Sequence, residues 1–231
     1  MIPSELLANF ADSNWKTRIA ALEEMDTWLN GAIEDLDAEV LVRALVKKGW
    51  SEKNFQVSAK MFGIFTRLSE QCPSFGRSCV ALCTGGMAEK LGDMKLKKPA
   101  GDGLIAFAEK TSLQFVLNQG TVSIDHNDPS LTCPSAYEPL SKQKAPKVLA
   151  DAIAWISTAL TEFGIAGISL RSLIDFLKTG LSNSNAAVRT SATKTIVTVK
   201  LFAGASTFTA VFTIARRVDR LHQVSRTCSR T

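Results

Sequence analysis

The chain has 231 residues, 45% of them hydrophobic, and a formal net charge of +5. This length and apolar content predict a globular protein with a substantial core, built as one large domain or two small ones. Charged residues interrupt every apolar stretch well before the roughly 20 residues that cross a bilayer, and the start shows no basic-then-apolar signal segment, so we expect a soluble intracellular protein.

Helical periodicity runs through most of the chain. Apolar residues recur at spacings of three or four, as on one face of an amphipathic helix, in the segments 19–29, 41–45, 57–68, 149–160, 173–177 and 188–196. No strand-like alternation competes with these patterns. The sequence therefore predicts an all-α protein.

Five short polar loops recur between the predicted helices. They read "DSNWKT", "WSEKNFQV", "KLKKPAGDG", "KQKAPKV" and "NSNAAVR", with centres near positions 15, 54, 98, 146 and 185. Their intervals resemble the period of HEAT-type helix pairs, roughly 40 to 47 residues. We predict an α-solenoid of about five HEAT-like repeats, in which the equivalent loops line up along one edge.

Two segments depart from the repeat pattern. Residues 120–135, "GTVSIDHNDPSLTCPS", lack a helical period and interrupt an apolar-periodic stretch, so they resemble an insertion within a helix. Residues 206–231 form a basic tail that alters the C-terminal end of the repeat array, and its five arginines and one aspartate account for most of the net charge. The expected domain is therefore 1–205, with an insert at 120–135, followed by the tail.

At the five loops the sequence resembles the TOG domains of the mini spindles / ch-TOG microtubule polymerases. The matching segments are "NWKTRIAALEEMDTWL", "SEKNFQVSAKMFGIFTRL", "GDMKLKKPAGDGLIAFAEK", "YEPLSKQKAPKVLADAIAWI" and "NSNAAVRTSATKTIVTVK". The resemblance covers residues 1 to about 205 apart from the insert, and is greatest to an internal TOG of the array. It implies a stack of HEAT repeats whose loop edge binds the curved, free αβ-tubulin dimer.

The resemblance also implies a function and a location. The chain would capture tubulin dimers and promote microtubule plus-end growth as one TOG among others in an array, in the cytoplasm at the spindle, centrosome and plus ends. Carried over loop by loop, the tubulin-binding residues would be Trp15, Lys16, Lys53, Asn54, Lys97, Lys98, Lys144, Lys147, Asn185 and Arg189.

Several of these residues also have a purely structural interpretation. Trp15 could fold back onto its helix pair rather than face solvent, and Arg189 could pair with Asp151 or Glu162. We expect Trp50 and Trp155 to pack in the core or against loops, and Phe55 to plug a helix start. Cys79 and Cys83 share a helix face and are expected to be buried thiols.

Catalysis finds little support in the sequence. The two histidines, His126 and His222, lie in the two departing segments, and no Walker motif, GxSxG or paired Cys and His arrangement occurs. We predict a non-enzymatic protein without cofactor or metal. The alternative function is a HEAT scaffold that binds a peptide or regulatory protein in its concave face, and binding of nucleic acid or membrane through the tail is a weaker third.

Deletion of residues 120–135 tests the insert interpretation. If the segment splits a helix, its removal lets the helix re-form and raises the melting temperature, which calorimetry measures. Hydrogen exchange should meanwhile show weaker protection in the C-terminal half of the parent chain than in its first three repeats. Uniform protection and an unchanged melting temperature would contradict the interpretation.

Overall fold

The computed structural model describes residues 2–118 and 145–209, which belong to two compact units with a boundary between residues 143 and 144. These residues are helical and contain no strand. The predicted insert at 120–135 lies outside the described residues, as do Lys144 and most of the tail.

Residues 2–118 of the first unit form seven helices joined by short connections. They are α1 (Ser4–Phe10), α2 (Trp15–Ala32), α3 (Ala38–Gly49), α4 (Phe55–Gln71), α5 (Arg77–Glu89), α6 (Lys97–Lys110) and α7 (Leu113–Asn118). The predicted apolar stripes are the buried faces of these helices. Leu22, Met25 and Leu29 of α2 are fully buried, for example, as are Leu41 and Leu45 of α3.

Helices α2, α4 and α6 run parallel in one layer. Asp26 and Asn30 of α2 meet Lys60 and Arg67 of α4 in the same order along both helices. Further along the layer, Lys110 near the end of α6 donates to the carbonyl of Cys72 just after α4, at 3.1 Å. Because the three helices are parallel, the loops that precede them lie at the same end of the layer.

Helices α3 and α5 form the second layer and are also parallel. Ser78 at the start of α5 donates to Glu39 at the start of α3, at 2.6 Å, and Trp50 at the end of α3 lies against Gly86 near the end of α5. Each helix of this layer leads into a helix of the first layer through a short loop. This is the antiparallel helix pair of a HEAT-like repeat.

The second unit contains α8 (Pro146–Phe163), α9 (Leu170–Leu181) and α10 (Ala186–Ala203), followed by a short helical segment at 205–209. Helices α8 and α10 are parallel, because Ile153 and Ser157 of α8 meet Thr195 and Thr198 of α10 in the same order. Gly180 lets α9 approach closely, since a Cβ there would lie 3.0 Å from Ala192. The starts of α8 and α10 therefore lie at one end of this unit.

The all-α solenoid of HEAT-like pairs is confirmed by this architecture. Trp155 is buried, and Trp50 packs its ring on Phe62 and Phe65, with both centroid distances at 6.1 Å, so both tryptophans have the predicted packing role. Cys79 and Cys83 are buried, as expected, and burial raises the pKa of both thiols.

Gly86 marks the place where Trp50 fits between the two layers. A Cβ on Gly86 would lie 2.5 Å from the nearest indole carbon, which no real packing tolerates, so the ring can occupy this position only because residue 86 has no side chain. Gly63, in the middle of α4, has open space around the equivalent position.

The two glycines give opposite predictions for substitution by alanine. Gly86→Ala should destabilise the fold by about 1–3 kcal/mol, because the indole must leave a well-packed site. Gly63→Ala should stabilise it by about 0.5–1 kcal/mol, because alanine restricts the unfolded chain and favours helix. Chemical denaturation of both variants measures the change in the free energy of unfolding. Equal changes would show that the packing of the Trp50 ring does not require glycine at position 86.

Candidate tubulin-binding edge

Three loops of the first unit contain the same local turn, and we call its first residue the cap. They are loop 1 (residues 11–14), loop 2 (residues 50–54) and loop 3 (residues 90–96). The side-chain oxygens of Asn14, Asn54 and Asp93 each accept the backbone N–H two residues later, at 3.0, 2.8 and 2.8 Å. Asn14 and Asn54 are the N-caps of α2 and α4, where this bond satisfies an N–H that the first turn of a helix leaves unpaired. Asp93 makes the same bond within loop 3, before α6 begins at Lys97.

The residue that follows each cap is apolar and exposed. These residues are Trp15, Phe55 and Met94, whose side chains are 38%, 39% and 84% exposed. The predicted exposure of Trp15 is thus confirmed. Phe55 stands at the start of α4, as expected, but its ring is partly exposed in the same way as that of Trp15.

Lysines lie beside two of these apolar side chains. The Lys16 ammonium is 5.9 Å from the ring centroid of Trp15, and the Lys95 ammonium is 4.0 Å from that of Phe55. The second contact brings loop 3 onto the start of α4, and a cation over an aromatic face contributes about 0.5–1 kcal/mol at exposed sites. Lys53 is exposed in the same region.

Loop 3 is shorter than the sequence suggested. Helix α6 already begins at Lys97, so Lys97 and Lys98 lie in its first turn, where Lys98 pairs with Asp102 at 2.6 Å. By their distance from the cap, Met94 and Lys95 are the equivalents of Trp15 and Lys16. An alignment on the cap residue, "SNWK", "KNFQ" and "GDMK", would have identified them.

An ion pair connects loops 1 and 2. Arg18 donates from Nε and Nη2 to the two carboxylate oxygens of Glu52, at 2.7 and 2.9 Å, and the two side chains are only 13% and 6% exposed. Beside this pair is a cleft of about 250 Å³, lined by Asp12, Ser13, Arg18, Lys48, Ser51, Glu52 and Lys53. Loops 1, 2 and 3 are therefore joined by direct contacts, and we call their surface the loop edge.

The predicted residues of the second unit lie at the starts of α8 and α10. Lys147 is exposed in the first turn of α8, and Asn185 caps α10 by accepting the N–H of Ala187 at 2.9 Å. Arg189 has a role that neither of its two interpretations included, because its Nη1 donates to the carbonyls of Asn183 and Ser184, at 2.9 and 2.6 Å. Asn54 and Asn185 thus both serve as helix caps.

Three carboxylates of the first unit are held in their charged form. Burial acts to raise the pKa of Glu52, but hydrogen bonds from Arg18 and from the backbone N–H of Asn54 bring it below its ordinary value. The pKa of Asp26 is lowered in the same way by Arg67 and Lys60, against the effect of burial. For Glu39, hydrogen bonds from Ser78 and Arg43 lower the pKa.

The described residues offer no group of three or more His, Cys, Asp or Glu side chains that could hold a metal ion. Within residues 2–118 and 145–209, no helix is both long and apolar enough to cross a membrane. The chemistry that the loop edge presents is that of a contact surface, apolar side chains beside cations.

Antiparallel helix pairs of this kind, stacked side by side with their loops at one end, define a HEAT-like helical-repeat domain. The TOG-domain model of the XMAP215/Dis1/CLASP family matches residues 6–215, so the chain belongs to this family. The resemblance found in the sequence is thereby confirmed.

Curated relatives include Protein MOR1 of Arabidopsis thaliana, 31% identical over 207 residues, and Protein mini spindles of Drosophila melanogaster, 32% identical over 212 residues. Each match covers 88% of this chain but only 10% and 9% of the relative, so the chain spans about a tenth of their length.

Solved structures show the same fold. Mini spindles TOG3 of Drosophila melanogaster is 30% identical, with a TM-score of 0.72, and the match covers 92% of this chain and 87% of that one. A structure described as "TOG-tubulin binding specificity promotes microtubule dynamics and mitotic spindle formation" is 13% identical, with a TM-score of 0.67 and coverage of 94% and 81%. At that identity the likeness concerns the fold alone.

The lowered carboxylate pKa values predict how stability depends on pH. Glu52 contributes stability above its pKa in the unfolded chain, roughly 4.3, and the contribution is lost as the pH falls through its lower folded pKa. Glu52→Gln should therefore be most destabilising at pH 6–8 and least at acid pH. Urea unfolding from pH 3 to 8 measures this, with the exposed Glu24→Gln as the control. A Glu52→Gln deficit of equal size at every pH would contradict the assignment.

Proposed function

We propose that this chain is a tubulin-binding TOG module that captures soluble αβ-tubulin dimers through its loop edge. The observation that carries the proposal is the regular placement of one exposed apolar side chain after each of three caps, with lysines beside them. The family membership supports it.

The chemistry of the loop edge suits an acidic protein surface. Tubulin is strongly acidic, so Lys16, Lys53 and Lys95 would steer its approach and fix its orientation. Trp15 and Phe55 would supply the apolar contact that sustains affinity once water is excluded, since aromatic anchors commonly dominate binding energy. Lys97 and Lys98 would act at the rim of the same contact.

The second unit adds residues of the same type. Lys147 and Arg189 would provide cations at the starts of α8 and α10, and Asn185 would shape the loop through its cap. Lys144 belongs to the same proposal but lies outside the described residues. We also propose the division into a TOG domain at 1–205, with an insert at 120–135, and a basic tail at 206–231.

We further propose that the module acts within a longer array that promotes plus-end growth. The curated relatives are about ten times longer than the matched region, and tethered sites raise the local concentration of a shared partner. A single module should then bind tubulin without driving polymerisation. The names of mini spindles and of Centrosomal protein 224 from Dictyostelium discoideum support a location at the spindle, centrosome and plus ends.

Alanine substitution of the aromatic side chains tests the proposed binding edge. Trp15→Ala should weaken binding to purified αβ-tubulin by roughly thirtyfold, because a central aromatic anchor contributes about 2 kcal/mol or more. Phe55→Ala should act in the same direction. Lys53→Ala should have a smaller, salt-dependent effect, mainly on the association rate. Size-exclusion comigration and titration measure the affinities, and thermal unfolding measures the fold.

Val40→Ala is the matched control for this experiment. Val40 is 54% exposed near the start of α3, at the other end of its helix pair from loop 2, so its truncation should leave tubulin binding unchanged. If Trp15→Ala lowers the melting temperature by several degrees, the indole is a packing residue. If both stability and tubulin affinity stay unchanged, the HEAT-scaffold alternative is favoured instead.

A further inference from the structure

We propose that Arg18 and Glu52 are positioning residues that lock loop 1 to loop 2, so that Trp15 and Lys53 meet the partner as one rigid unit. The inference rests on the proposed tubulin-binding function. Neither side chain is itself a contact residue in this proposal, because both are largely buried behind the loop edge.

Arg18 connects the two loops through four hydrogen bonds. Its Nη1 donates to the carbonyls of Asp12 and Ser13, at 2.9 and 2.8 Å, and fixes the backbone of loop 1. Its Nε and Nη2 reach across the repeat boundary to the carboxylate of Glu52. Arg18 lies one helical turn after Trp15, so the same guanidinium braces the helix start that presents the indole.

Glu52 does the same for loop 2. Its Oε1 accepts the N–H of Lys53 at 2.9 Å and the N–H of Asn54 at 2.7 Å, in addition to the bond from Arg18. The carboxylate therefore sets the backbone at Lys53 and at the cap that precedes Phe55. A bidentate Arg–carboxylate pair fixes the orientation of the two side chains as well as the distance between them, whereas a single hydrogen bond fixes only the distance.

Loop 5, residues 182–185, shows that the bond to Glu52 is not needed to shape one loop. Its sequence "NSNAAVR" parallels "DSNWKTR" of loop 1, and Arg189 makes the same two bonds to loop carbonyls that Arg18 makes. The carbonyl bonds are thus a local device of both loops. The additional pair with Glu52 acts between repeats.

A second ion pair, between α2 and α4 themselves, provides a matched comparison. Arg67 of α4 donates to the side chain of Asp26 on α2 at 2.8 Å, and to its backbone carbonyl at 2.6 Å. This contact joins α2 to α4 about two turns further along α2, away from the loop edge. A role in holding the helices together is therefore common to both pairs, whereas a role in positioning the loops belongs to Arg18 and Glu52.

The test compares Arg18→Gln, Glu52→Gln and the double variant with Arg67→Gln as the control. Arg18→Gln should speed hydrogen exchange in the segment 50–57, although it removes no direct partner of the Lys53 and Asn54 amides. It should also weaken binding of the αβ-tubulin dimer on the order of tenfold. The double variant should lose no more affinity than either single variant, because the two residues act as one unit.

Arg67→Gln should lower the melting temperature while leaving both the exchange of segment 50–57 and tubulin affinity unchanged. Arg18→Lys keeps the charge but not the two-pronged geometry, so it should shift both readouts in the same direction as Arg18→Gln by less. If Arg18→Gln does not fold, Arg18→Lys takes its place in both measurements.

The outcomes separate this inference from the function on which it rests. If the unsubstituted chain does not bind tubulin, the proposed function fails. Hydrogen exchange in segment 50–57 then decides by itself whether Arg18 and Glu52 hold the two loops together. If the chain binds tubulin and Arg18→Gln binds equally well, the positioning role is overturned while the proposed function remains. Unchanged exchange in segment 50–57 of Arg18→Gln overturns the lock itself.

Discussion

Burial of one apolar face on every helix is the constraint on which the rest of this structure depends. In the first unit it packs α2, α4 and α6 side by side in parallel, with α3 and α5 behind them. Parallel packing brings the starts of α2, α4 and α6 to one end. The loop edge is therefore a consequence of the way in which the core is built. Its cap residues accept backbone N–H groups, and the residues that follow them are exposed.

The sequence predicts the fold because the fold depends on local periodicity. Stripes such as Leu22, Met25 and Leu29 are visible without knowledge of any distant contact, and repeated loops reveal the pairing. The loop edge is predicted only in part. Trp15 is identified through the family resemblance. Met94 and Lys95 are not, because the predicted third loop includes residues that form the first turns of α6.

The ion pair between Arg18 and Glu52 could not be predicted by the same means. The two residues are 34 positions apart, and each has other charged residues nearer in sequence, so periodicity contains no information on their pairing. Only the stacking of two repeats brings them together. The bonds that Arg189 makes to backbone carbonyls five and six residues earlier are also hidden in the sequence. A charged side chain suggests an acidic partner such as Asp151, whereas every residue has a carbonyl that could accept.

The position directly after each cap has a consequence for how such domains can diverge. The N–H of a first-turn residue is not required by the helix, and its side chain here stands clear of the core. Trp15, Phe55 and Ala186 occupy this position after the N-caps of α2, α4 and α10, and Met94 follows the equivalent turn within loop 3. Substitution at this position can therefore change the surface chemistry of one loop at a time while the buried faces of the helices stay as they are.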